Sequence, residues 1–149
     1  MSRAASAPAS PGIARRLACA VYELLLLAAL VLIATFPFLA FTGDASYGPK
    51  RHLLQAYVFG VAGAYLVTFW TRGGQTLAMK TWGIRLVGRD GGSVGMALAI
   101  KRYVLAAAGL VAAGLGFLWA FWDRDGQFLH DRLAGTRLVV AEPAGRADT

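Results

Sequence analysis

The chain has 149 residues, room for one domain and little more. Of these, 57% are hydrophobic and 15% charged, and the mean hydropathy is +0.53. Soluble domains average about 45–50% apolar and about 25% charged residues, so a water-solvated globule is excluded and a bilayer becomes the expected solvent. The net charge of +7 does not point to nucleic acid. Its Lys and Arg flank apolar runs and form no basic stripe interleaved with aromatics. At such borders they set topology and meet anionic headgroups. The lone Cys19 excludes an intrachain disulfide or a multi-cysteine metal site.

Residues 1–12 are rich in Ala, Ser and Pro and read as a disordered tail. From Leu17 to Phe41 the chain is almost wholly apolar. That run exceeds the ~20 residues a spanning helix needs and the ~7–15 of a secretory signal core. Pro37 is expected to kink or loosen its last turns. Residues 42–52 form a short loop, and Leu53–Thr71 a second span, in which Ala56, Gly60, Gly63 and Ala64 let helix backbones approach. In residues 72–95, Gln75–Lys80 suits a short interfacial helix, Trp82–Val87 a strand and Arg89-Asp90-Gly91-Gly92 a turn. Met96–Trp122 is a third apolar stretch, carrying Gly109, Gly114 and Gly116 and ending in aromatics suited to the headgroup zone. Thr136–Val140 is a candidate second strand.

The fold class expected is an all-α membrane protein with about three transmembrane helices, a short interfacial helix and a small β element. Its membrane domain covers residues 13–141, between tails 1–12 and 142–149. The N-terminal segment holds Arg3, Arg15 and Arg16, and residues 72–102 hold six further basic residues, whereas the 42–52 loop holds Lys50 and Arg51. The positive-inside rule then places the N-terminus and residues 72–102 in the cytoplasm of a bacterial inner membrane. A single third span would export Arg124, Arg132, Arg137 and Arg146. The alternative is a re-entrant pair of half-helices folding back near Gly109–Gly116, which would let Thr136–Val140 pair with Gly83–Val87. The single span is preferred.

Glu23 is the first candidate for chemistry. An acid at membrane depth costs roughly 2.5–3.5 kcal/mol on insertion scales, so it should face protein or water. It either carries a proton or pins helix packing. Arg16 lies two helical turns before it on the same face, about 10 Å away along the axis, too far for a direct ion pair. A cation from elsewhere should answer Glu23, with Arg102 first and Arg72 next. Arg16 otherwise reads as an interfacial anchor that snorkels, and Lys101-Arg102 as flanks of a span starting at Tyr103. Asp131, beside His130 and Arg132, is a helix cap, a local ion pair or part of a charge network. His52 and His130 have no metal-ligand spacing, and no nucleophile–base set is apparent. No enzyme, metal or cofactor is expected.

Several motifs are similar to those of the RDD family of bacterial membrane proteins, named for one arginine and two aspartates. They are Arg16-Leu17-Ala18 with an acid seven positions after the arginine, the stretch Gly74-Gln75-Thr76-Leu77-Ala78-Met79-Lys80, and the Gly83–Val87 strand with its Asp90-Gly91 turn. Arg102 and the closing His130-Asp131-Arg132-Leu133-Ala134-Gly135-Thr136 complete the set. The resemblance covers about residues 13–141. One departure is Glu23, which stands where the family has its first aspartate and extends the reach by one methylene. The resemblance implies Arg16, Glu23, Arg102 and Asp131 as a charge network, with Arg72, Gln75 and Lys80 secondary. It also implies transport of an unidentified ligand, with sodium/proton antiport suggested for some members. The function expected is transporter-like cation/proton exchange by Glu23 and Asp131, in a homo-oligomer or with a membrane partner. The partners would be lipid, monovalent cations and protons. The alternative is a non-catalytic scaffold or accessory subunit.

Overall fold

The computed structural model describes residues 8–112 and 114–141. The tail 142–149, residues 1–7 and position 113 lie outside the described residues. Residues 8–12 form neither helix nor strand, yet the Ala9 carbonyl accepts from the Val140 amide at 2.9 Å.

Helix α1 runs Ile13–Thr42 and passes through Pro37 without ending. At 1.5 Å per residue it is about 45 Å long, against ~30 Å of hydrocarbon. Helix α2, Pro49–Gly73, starts on a proline, whose missing N–H has no partner to lose there. Both helices are long and apolar enough to cross a membrane. Their inward faces follow helical spacing: Gly63, Leu66, Val67 and Trp70 on α2, Arg16 and Cys19 on α1. Of the small residues expected to pack on α2, Gly63 does so, since a Cβ there would stand 2.7 Å from the Tyr103 ring. Gly60 faces open space.

At Gly74 the chain turns sharply. Its φ of +68° suits glycine, and its carbonyl accepts from the Leu86 amide at 2.7 Å. A five-residue helix α3, Leu77–Thr81, follows, with the Thr76 hydroxyl accepting from the Met79 amide at its N-cap. Strand β1, Ile84–Gly88, leads to helix α4, Met96–Val111. Next come helix α5, Leu115–Leu118, and a 3₁₀ turn, Trp119–Phe121. Helix α6, Leu129–Ala134, and strand β2, Thr136–Val140, complete the order. The strands pair antiparallel, Ile84 opposite Val140 and Gly88 opposite Thr136.

The preference for a single third span is corrected. Helix α4 is only about 24 Å long. The chain then bends by 104° before the Leu115–Phe121 arm, and the arms touch where a Cβ on Gly109 would lie 3.3 Å from the Gly116 Cα. The pair folds back, so β2 reaches β1. The physical reason is the small-residue stretch between Gly109 and Gly116, which allows backbone contact at the bend. As a result, the start of α1, α3, the strand ribbon and α6 form one layer at one end of the helices. The ribbon closes the core with Ile84, Leu86 and Leu138.

Candidate functional site

Three charged clusters join this layer to the helices. In the first, Arg102 on α4 donates its Nε to Asp131 Oδ1 on α6 at 2.6 Å, with the two side chains 6% and 1% exposed. The guanidinium lies 4.2 Å from the Trp70 ring centroid, and the Thr136 hydroxyl donates to Asp131 at 3.3 Å. Burial pushes the Asp131 carboxyl up, but the charge of Arg102, that of His130 at the low pH where its ring is protonated, and its hydrogen bonds to Arg102 and Thr136 hold it below the usual aspartate range. His130 is buried beside it, its ring 5.1 and 5.4 Å from those of Phe117 and Phe128. Burial lowers its pKa to about 4, with the Asp131 charge opposing. The imidazole is therefore neutral at pH 7.

Arg102 gives its direct ion pair to Asp131, so it meets Glu23 only through the charge it places across the cavity. Nor does Arg102 flank a span starting at Tyr103, since α4 begins at Met96 and buries the arginine. Arg72 is exposed and does not reach Glu23.

The second cluster centres on Arg16, which is 2% exposed and does not snorkel. It donates to the Gly126 carbonyl, to the Asp125 carbonyl at 3.2 Å and to the Ser10 hydroxyl at 2.8 Å. Asp123 shapes the turn that presents those carbonyls. It accepts from the Asp125 and Gln127 amides and forms an ion pair with Arg132. Arg15, the preceding residue, donates to the Trp82 carbonyl at 2.6 Å. Two consecutive arginines therefore fasten α1 to opposite parts of the layer.

The third site is Glu23. Its Oε2 accepts from the Thr76 hydroxyl, while its Oε1 is buried without a hydrogen-bond partner. The Tyr65 hydroxyl, also buried without a partner, lies beside it. Glu23, Arg16, Arg102 and His130 all line a 470 Å³ cavity between α1, α2 and α4 whose remaining wall is largely apolar. Of the secondary candidates, Gln75 donates to the Ile84 carbonyl at 2.8 Å and pins the α2–β1 connection. Lys80 is exposed on α3.

Sequence reasoning passed over Thr76, Trp70, Thr136 and Asp123 as site residues. Thr76 carried a signal, a hydroxyl following a Gly-Gly break and opening a short helix. Trp70 had none, because one more aromatic in an apolar helix looks like core. Among the described residues, no group of three or more His, Cys, Asp or Glu is placed to hold a metal ion.

No curated protein and no solved structure matches the chain. A family model described as the RDD family matches residues 10–135. That match spans most of the chain and the charged residues of all three clusters, and the protein belongs to the RDD family of membrane proteins.

Proposed function

We propose that this membrane protein exchanges a cation for a proton at Glu23. The observation that carries the proposal is the unpartnered Glu23 Oε1, facing a cavity at membrane depth. A carboxyl flanked by the Thr76 and Tyr65 hydroxyls and by no cation in an ion pair can release a proton and accept a cation, whereas Asp131 is committed to Arg102. In this reading Asp131 and Arg102 hold the layer to the helices, and the exchange falls on Glu23 alone. The protein sits in a bacterial inner membrane with its N-terminus and the whole layer cytoplasmic, consistent with the layer's surplus of arginines. Two long helices and one folded-back pair enclose little on their own, so a homo-oligomer completes the path.

Cation-driven proton movement in proteoliposomes tests the proposal, with inorganic and organic monovalent cations offered to wild type and Glu23→Gln at matched reconstitution. Movement that vanishes in the variant supports it. No movement by folded wild-type protein with any cation overturns it. The competing reading is a scaffold or accessory subunit, favoured by the exposed Leu77, Trp82 and Leu133 of the layer. Under that reading Glu23→Gln lowers abundance and there is no flux to lose.

A further inference from the structure

The cavity that Glu23 faces is much larger than an inorganic cation needs. Its 470 Å³ falls in the range of about 300–1,000 Å³ typical of sites for small organic molecules. It follows α1 from Arg16 to Val31, about 22 Å at 1.5 Å per residue. Its polar groups gather at the end nearest the layer. Farther along, the wall is made by Leu27, Val31, Val58, Ala106 and Leu110, with Gln55 and Tyr103, whose hydroxyl is taken by the Phe59 carbonyl, the polar residues nearest them. A bare cation crossing that apolar length would lose its hydration with nothing to replace it.

The wall is also incomplete. The lining residues Phe59, Leu110 and Val111 are 47%, 45% and 88% exposed. In a bilayer these openings meet acyl chains, so an apolar chain can enter sideways without passing through water. Charge selects the other end of the occupant. Arg102 is matched by Asp131 at 2.6 Å, and Arg16 gives both terminal nitrogens to two carbonyls and the Ser10 hydroxyl, leaving only its Nε buried without a partner. The carboxylate of the cavity without a cationic partner is Glu23, whose Oε1 has only the Tyr65 hydroxyl beside it, and its complement is a cationic head.

We infer that the cavity binds a single-chain amphiphilic cation, with its ammonium head at Glu23 and its hydrocarbon chain along the Leu27–Val31 wall. This rests on the exchange reading and names its substrate class. It is tested by binding of dodecylammonium to the full chain in nanodiscs. Methylammonium serves as the head alone, and dodecanoate as the chain with an anionic head. Saturable binding of the amphiphilic cation, at least about tenfold tighter than either control, is the expected result. Glu23→Gln should weaken it by about tenfold or more, and Ala106→Phe, which fills the apolar wall, should weaken it with Glu23 intact. If Glu23→Gln does not fold, Ala106→Phe decides.

Equal binding of dodecanoate, or full binding by both variants, overturns the inference. So does absence of saturable binding while sodium still moves protons in a Glu23-dependent way, and in that case the exchange reading survives. If neither sodium nor the amphiphile moves protons, the exchange reading fails with it.

Discussion

At Arg102 and Asp131, two charges share a site with almost no water, and neither tolerates loss of the other. Removing one partner of such a buried pair typically costs about 3–5 kcal/mol, because the survivor is stranded. Asp131→Asn and Arg102→Leu should each lower the thermal unfolding midpoint in detergent, and the double variant Arg102→Leu/Asp131→Leu should recover much of the loss. An additive double variant would show that the pair contributes no coupling. His130 adds a pH dependence of definite sign. Its folded pKa of about 4 lies below the ordinary value of 6.5, so between those values the unfolded chain binds the extra proton. Stability therefore falls as pH drops from 6.5 to 4, by up to about 3 kcal/mol. The depressed Asp131 adds its own loss only at lower pH, as the carboxyl protonates. Melting curves at pH 7 and pH 5 should differ in wild type and converge in His130→Gln.

Between elements, the joints are closer than ordinary side chains permit. A Cβ on Gly74 would lie 2.4 Å from the Leu86 carbonyl oxygen, at a φ of +68°. Neither backbone can withdraw without breaking the Leu86–Gly74 hydrogen bond or the β1–β2 register. Gly74→Ala should cost about 2 kcal/mol or more, read as a lower yield of folded protein and a lower midpoint. Gly73→Ala, with nothing within 4 Å of its added methyl group, should lie close to wild type. The pairing of Arg16 with the 125–126 carbonyls works in the same way. A long side chain from one helix satisfies turn carbonyls that are remote in sequence, and that ties the turn leading into α6 to α1.

For the whole molecule, the folded-back third pair decides which segments share a side of the membrane. In a Cys19→Ala background, cysteines at Lys80 and Arg124 should react with a membrane-impermeant thiol reagent from one side, and a cysteine at Ser46 from the other. Labelling of the Lys80 and Arg124 positions from opposite sides would require a single straight third span. The sequence alone determined the membrane class, both long spans, the α3 and strand positions to within about two residues, and the acid on the inner face of α1. It could do so because those features are local, resting on runs of apolar side chains, helical spacing and turn residues. Tertiary structure decided the rest. Whether Met96–Trp122 crosses or returns depends on contact between Gly109 and Gly116, and hydropathy does not record which small residues touch. Which acid meets Arg102 depends on α6 packing against α4, 29 residues away in sequence. Composition showed that buried charges must find partners, and only the packed chain chose Asp131 for Arg102 and left Glu23 facing the cavity.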